Sequence, residues 1–270
     1  MTQLVAERRT VADQYAADGV VMLRGLLPAD EVEGVRRAFM AQVDEGPSFR
    51  DVDGLPTDDV LSRYPRFVHP HRQPGLEAGR IARALMTDPR VLGVVEELVG
   101  PAYGAQSMFY FKPPTARGQA LHQDNLFLQA HPETCVAAWI AIDDCDAENG
   151  GLVVIPGSHR IQILCPDEEA DPLESFTAAT IAVPAGEERV QTRMRAGDVL
   201  FFHGSLVHGS RPNTSADRFR RSLIFHYVPQ RSVEVARFYQ PLIDPAGHEV
   251  RMEESADGGP CGVGWSTSGH

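Results

Sequence analysis

Apolar positions along this 270-residue chain change their spacing near residue 104, and the predicted elements change with it. Before that point the spacing is helical. Residues 4–18 predict a helix closed by Gly19, and GVVMLRG (19–25) predicts a short strand. In LPADEVEGVRRAFMAQV, Pro28 and acidic residues mark a helix start, and Val32, Val35, Phe39 and Val43 form an apolar stripe three to four residues apart. Residues 45–77, rich in Pro, Gly, Asp and His, predict a long loop, and a helix over 78–99 is expected to stop at Gly100-Pro101.

Beyond it, short apolar runs alternate with turn-forming clusters. SMFYFK, ALHQDNLFL, CVAAWIAID, GGLVVIPG, DVLFFHG and SLIFHYV read as strands, separated by segments such as PPTARG, DAENGG and RPNTSADR. That texture predicts an antiparallel sandwich or barrel. Residues 165–190 form an acidic insertion expected at the surface, and 253–270 a loose tail or flap. The expected organisation is a single domain, mainly β with flanking helices. A mixed helical part covers 1–103, the β core 104–235 and a C-terminal extension 236–270.

Composition narrows the function classes. Hydrophobic and charged fractions of 43% and 23% are ordinary for a globular chain. A formal net charge of −12 argues against nucleic acid, whose phosphates need clustered cations. Lys112 is the only lysine. The four cysteines include no CxxC pair, so neither a zinc knuckle nor a disulfide-rich frame is expected, and Cys135 and Cys145 read as small core residues. The N-terminus lacks signal-peptide character, and no apolar run approaches the roughly 18 residues of a membrane span. A reduced cytoplasmic protein, monomeric or homodimeric and without a membrane partner, is the expectation.

Candidate chemistry begins at HQDN (122–125). On a strand, alternation would turn His122 and Asp124 to one face and Gln123 and Asn125 to the other. A further imidazole is available in GDVLFFHGSLVHGS (197–210). His208, where the apolar run ends in a turn, is favoured over His203, which is expected to pack. Two imidazoles and one carboxylate leave about half of an octahedral shell open, which suits non-haem Fe(II). A structural zinc would be closed by four protein ligands.

FKPP (111–114), HQDN (122–125), WIAIDDCDAENGGLVVIPGSH (139–159), GD (197–198), HGS (208–210) and FRRSLIFHY (219–227) together resemble the phytanoyl-CoA dioxygenase family. The resemblance covers most of 105–229 and extends weakly to DGVVMLRGLLPADEVEGVRRAF near the N-terminus. It implies a double-stranded β-helix (a cupin-like jelly roll) with His122, Asp124 and His208 as iron ligands. It further implies 2-oxoglutarate as co-substrate, O2 as oxidant and ascorbate as a supporting reductant in vitro. The far carboxylate of 2-oxoglutarate calls for a guanidinium and a hydroxyl, and Arg220 and Ser222 supply both on one face. Arg218 and Arg221 are minor rivals for that role. Lys112 and Trp139 resemble positions that approach the co-substrate.

The implied activity is hydroxylation of an unactivated C–H bond in a small-molecule metabolite, with release of succinate and CO2. Related halogenases carry Ala or Gly where this chain has Asp124, which favours hydroxylation, although desaturation, ring closure or epimerisation can share the same start. A cupin-like metal enzyme that does not use 2-oxoglutarate, or a non-catalytic β-sandwich binding a small ligand, are the rival readings. Arg220 and Ser222 discriminate, since neither rival needs a clamp for a distant carboxylate. His226 reads as a hydrogen-bonded core histidine, the NGG turn at 149–151 as structural, and Gln119 and Gln123 as pocket residues. The cluster RFVHPHR (66–72) and Arg117 are either a solvated surface or a reach over the barrel mouth by Arg66, His69, His71, Arg72 or Arg117.

Overall fold

The computed structural model describes residues 9–45, 50–51, 57–132, 134–184, 186–256 and 259–262. The start of the first expected helix and most of the 253–270 tail lie outside them. Helix α1 (Val11–Asp18) opens with a reciprocal cap between Thr10 and Asp13 and ends at Gly19, whose φ of 73° suits glycine. Strand β1 (Val20–Leu23) and helix α2 (Ala29–Glu45) follow the expected pattern, and Val32, Val35, Phe39 and Val43 are all buried. Phe39 stacks on Phe109 with ring centroids 4.0 Å apart, and burying such a ring contributes about 1.5–3 kcal/mol.

Two expectations for this part are corrected. The 45–77 stretch is not one long loop, because β2 (Arg50–Asp51), α3 (Val60–Arg63), β3 (Arg66–Val68) and a 3-10 turn (Pro70–Arg72) lie within it. Its order is long-range: β3 pairs with β4 (Ala102–Tyr110), and the His69 amide donates to the Ser107 carbonyl at 2.8 Å. The single helix expected over 78–99 is two, α4 (Glu77–Met86) and α5 (Pro89–Val99). Pro89 cannot continue a helix, and it holds Asp88 extended, where the Asp88 carboxylate caps the Arg90 amide at 2.8 Å.

The remaining elements build two larger antiparallel sheets and two separate two-stranded pairs. They are β5 (Gln119–His122), α6 (Asn125–Leu128), β6 (Val136–Ala141), β7 (Leu152–Val154), β8 (Glu168–Glu169), β9 (Ala179–Thr180) and β10 (Val190–Gln191). Then come β11 (Val199–His203), β12 (His208–Ser210), β13 (Ser222–Pro229), β14 (Glu234–Val235), β15 (Leu242–Ile243), β16 (Glu249–Val250) and β17 (Glu253–Glu254). The larger sheet runs β1-β11-β6-β13-β4-β15-β16 and the smaller β10-β7-β12-β5.

Alternation decides which side chains meet. On β13, Leu223, Phe225 and Tyr227 join the apolar cluster that α2, α4 and α5 bury against the outside of the larger sheet. Ile224 points the other way, with Trp139, Leu200 and Phe202, and meets Leu152 and Val154 of the smaller sheet. The sheets therefore face one another as a jelly roll, with helices on one outer face.

The 165–190 insertion carries the β8-β9 pair and is tied down by Arg117. That guanidinium pairs with Asp59 and donates to the carbonyls of Pro172 and Ser175, both at 3.1 Å. Cys165 and Cys261 form a disulfide between insertion and tail. This departs from the expectation that the cysteines stay reduced; a pair 96 residues apart has no local signature. Cys135 and Cys145 are buried and free, as expected. No helix among the described residues is long and apolar enough to cross a membrane.

Candidate metal centre

The apolar run ALHQDNLFL is not one strand. β5 stops at His122, and Asp124 is the residue from which α6 starts, itself in helical conformation. A strand-to-helix turn, rather than strand alternation, brings the carboxylate round to the imidazole. The turn is fastened on its other side by Gln123, whose side chain donates to the Ser205 carbonyl at 2.8 Å and accepts from the Leu164 amide at 2.7 Å. The Asn125 amide donates to the Gly204 carbonyl at 2.8 Å.

His208 opens β12 directly opposite His122 on β5, and the two rings lie 4.3 Å apart. Asp124 Oδ1 lies 3.5 Å from His122 Nε2 and 3.4 Å from His208 Nε2. One candidate ligand atom from each of the three residues falls within 4.8 Å of the others. An ion about 2.1 Å from each atom would separate them by roughly 3–3.4 Å, so the set fits a small divalent cation.

Backbone contacts pre-set the donor atoms. His122 Nδ1 faces the Ala120 carbonyl at 2.8 Å and His208 Nδ1 the Leu206 carbonyl at 3.0 Å, which turns both Nε2 atoms toward the centre. His226 Nε2 holds Asp124 Oδ2 at 2.9 Å, leaving Oδ1 to face the imidazoles. Burial alone would raise the Asp124 pKa, but His208, His226 and the hydrogen bonds from His122 and His226 hold it well below the usual carboxylate range. Burial pulls His208 down to about 4, against the opposing pull of Asp124. The donor set is thus a carboxylate and an unprotonated imidazole at His208, with His122 Nε2 beside them.

A second constellation lies further along the same interior. Arg220 is two residues ahead of the first residue of β13, yet its amide continues the pairing by donating to the Lys112 carbonyl at 2.9 Å. Its guanidinium donates to the Ser222 hydroxyl and the Gly150 carbonyl, both at 3.1 Å, and lies 5.5 Å from the Trp139 ring. Lys112 Nζ donates to Ser210 Oγ and the Arg211 carbonyl, both at 2.7 Å. Both cations are 3% exposed, and neither pairs with a carboxylate among the described residues. Burial, then the charge of Arg220, drives Lys112 well below the ordinary ammonium range, and burial brings Arg220 down to about 10. Gly150 makes this packing possible: its φ is 76°, and a Cβ there would sit 2.7 Å from Lys112 Cδ.

The rival arginines are spoken for. Arg221 faces outward onto Asp143 (Nε to Oδ2, 2.7 Å), and Arg218 pairs with Asp146 and Glu148. His203 packs beside Tyr15 and His159, away from the centre. Gln119 Nε2 lies 3.3 Å from His122 Nε2.

The reading of 66–72 as a solvated loop is corrected, since His69 and His71 are buried and His71 Nδ1 lies 2.7 Å from Ser107 Oγ. Arg66 lies over Phe176, and Arg72 reaches the Phe238 carbonyl at 3.4 Å. Sequence reasoning missed that His226 braces Asp124. The signal was present, since His226 shares the parity of Ser222 and so faces inward.

A jelly roll whose interior carries two histidines and a carboxylate around one point, with buried cations beyond, has the architecture of a mononuclear metal oxygenase. The chain belongs to the phytanoyl-CoA dioxygenase family, whose model matches residues 15–222. The phytanoyl-CoA dioxygenase of Arabidopsis thaliana is 35% identical over 126 residues, 46% of this chain and 43% of that one. The peroxisomal phytanoyl-CoA dioxygenase of Mus musculus is 29% identical over 234 residues, covering 79% and 66%. The aligned part spans about half the length of the plant relatives, 43% and 46% for the Arabidopsis and rice proteins.

Among solved structures, the non-heme alpha ketoglutarate dependent carbocyclase SnoK from nogalamycin biosynthesis superposes with a TM-score of 0.64 at 25% identity, covering 83% of this chain and 84% of that one. The epimerase SnoN, solved with Fe3+, alpha ketoglutarate and nogalamycin RO, gives 0.64 at 24%, covering 83% and 84%. EctD from S. alaskensis shares the fold, with a TM-score of 0.61 at 23% identity over 91% and 84%.

Proposed function

We propose that this chain is an Fe(II)- and 2-oxoglutarate-dependent oxygenase that hydroxylates a C–H bond of a small molecule and releases succinate and CO2. The observation that carries this reading is the pairing of two features on one interior. The candidate ligands His122, Asp124 and His208 converge at one end, while Lys112 and Arg220 lie buried beyond them with no counter-carboxylate among the described residues. A buried cation is costly unless an anion meets it. A keto diacid is the kind of molecule that would chelate at one end and neutralise at the other.

Iron held there supplies the one-electron and O2 chemistry that couples decarboxylation of 2-oxoglutarate to oxidation of the substrate. The protein's own part is positional. Carbonyl contacts at Nδ1 keep the Nε2 atoms of His122 and His208 available, and His226 keeps Asp124 from rotating. Arg220, Ser222 and Lys112 bind the far carboxylate, and Trp139 with Ile224 shields it from water. A cupin-like enzyme without 2-oxoglutarate, or a passive ligand-binding sandwich, would have no use for that clamp.

The test is succinate formation by the purified chain with Fe(II), ascorbate and 2-oxoglutarate across a substrate panel. Absence of succinate together with absence of 2-oxoglutarate binding removes the reading. SnoK is a carbocyclase and SnoN an epimerase. Product mass therefore matters: a gain of one oxygen supports hydroxylation, whereas loss of two hydrogens or an unchanged mass supports desaturation, ring closure or epimerisation.

A further inference from the structure

Three buried side chains that the chemistry above does not use converge next to the brace of the metal carboxylate. His69 is 7% exposed, and neither ring nitrogen meets a protein partner. Gln106 is fully buried with both amide atoms unmet, and Tyr239 is 1% exposed with an unmet hydroxyl. They come from three separate segments: the residue after β3, the middle of β4, and the 3-10 turn Arg237–Tyr239. Buried polar atoms are nearly always hydrogen-bonded, and each one left unmet opposes folding. Five such atoms gathered in one place therefore point to a ligand.

Register fixes where they point. Gln106 is the cross-strand partner of His226, so both side chains occupy the same sheet face. His226 is the residue that holds Asp124, so Gln106 points to the interior where the candidate ligands lie. The His69 ring lies 4.9 Å from Phe238 and 6.2 Å from Tyr239. Burial first and the Asp124 carboxylate second raise the Tyr239 hydroxyl well above its ordinary range, so it stays protonated. Burial, assisted by Arg72, His71 and His226, holds the His69 ring neutral. His69 also adopts the left-handed conformation, φ 54°, which a non-glycine residue takes at some cost.

We infer that His69, Gln106 and Tyr239 form the substrate-recognition site beside the metal centre, and that they select a substrate bearing neutral oxygens, hydroxyl or carbonyl, close to the carbon that is oxidised. The three offer neutral donors and acceptors and no formal charge, which fits a polyol or hydroxyketone better than a hydrocarbon chain or a carboxylate. Phe238, 4.9 Å from the His69 ring, supplies an apolar wall beside those oxygens. This inference rests on the oxygenase reading, because it takes the position of the reacting carbon from the metal site.

Binding is measured on the Zn(II)- and 2-oxoglutarate-loaded chain by ligand-observed NMR, using trans-cyclohexane-1,2-diol and 2-hydroxycyclohexanone as probes. Cyclohexanecarboxylate and octanoyl-CoA serve as counter-probes. The expected result is binding of the oxygenated rings in preference to both counter-probes. Gln106→Met and Tyr239→Phe should each weaken it by about tenfold, the equivalent of one lost hydrogen bond.

Melting temperature without probe supplies a second readout. Removing an unmet buried polar atom should leave it unchanged or raise it, whereas a loss of several degrees in both variants assigns these atoms to the fold and overturns the inference. Preference for a counter-probe, no binding of either ring, or equal binding by variants and wild type also overturns it. If the wild-type chain fails to bind 2-oxoglutarate, the oxygenase reading itself falls; if it binds 2-oxoglutarate and the rings do not discriminate, only the present inference falls.

Discussion

Lys112 and Arg220 donate to the same backbone oxygen, the carbonyl of Gly150, at 3.3 and 3.1 Å. Two cations brought to one acceptor in a buried place repel each other. An anion joining them would relieve that repulsion. Arg220→Gln is therefore expected to weaken 2-oxoglutarate binding by roughly 10–100-fold, with the apo protein as stable as wild type or more so. Calorimetric titration with 2-oxoglutarate, alongside denaturant unfolding of the apo protein, checks both halves. Unchanged affinity would remove the clamp.

Asp124 is held from outside by His226 and faces the two imidazoles from inside. Asp124→Ala should abolish the rise in melting temperature that a divalent metal produces by binding the native state. His226→Leu should weaken metal binding about 10–100-fold, as loss of an orienting partner does. Metal titrations followed by thermal melts, with EDTA reversal, give the measurement. A wild-type metal response in His226→Leu would show that the brace does not act on the metal site.

Arg221 lies next to Arg220 in sequence and on the opposite face, where it forms a fork with Asp143. Arg221→Ala should cost about 1 kcal/mol of stability, because Asp143 loses the fork but keeps the residue-221 amide at 2.8 Å and Arg36 at 3.3 Å. Affinity for 2-oxoglutarate should be unchanged. The reverse pattern, normal stability with lost affinity, would mean that the register of this strand is off by one residue.

Burial, then the charges of Arg72 and Arg83, pull His71 down to about 3. An unfolded histidine titrates near about 6.5. Between those values the unfolded chain binds a proton that the folded chain refuses, so stability rises with pH there. The contribution is fully present above about pH 6.5 and is lost as pH falls toward 3, with a slope of up to ~1.4 kcal/mol per pH unit. His71→Asn, which can keep the contact with Ser107, should flatten that slope in unfolding curves taken from pH 4 to 7. A slope identical to wild type would assign the acid sensitivity to other groups.

Much of this architecture was legible in the sequence because its signals are local. The stripe of Val32, Val35, Phe39 and Val43 encodes one buried helix face, and the buried face formed is the one the spacing implies. The break in 78–99 was missed although the Asp88-Pro89 pair carried a local signal for it, since proline at the first turn starts a helix and cannot sit inside one.

HQDNLFL was harder. A short apolar run fits a strand or a helical turn equally well, and here the chain changes from one to the other between His122 and Asp124. The histidine–carboxylate pairing survives that change because the turn, rather than the pleat, aims the side chains. Order at 66–72 and the Cys165–Cys261 bond depend on residues far away along the chain, and nearby residues do not announce them. The convergence of His69, Gln106 and Tyr239 is equally non-local.

Arg220, Ser222, Ile224 and His226 are spaced by twos on one backbone, so the span from charged anchor to carboxylate brace is counted in peptide units and does not depend on any loop. Gaining or losing one residue between them would turn the anchor to the outer face, and gaining or losing two would shift it by about 6.6 Å. Small drifts are thereby forbidden. On the proposed reading the strand gauges one length of diacid, independently of the loops around the mouth.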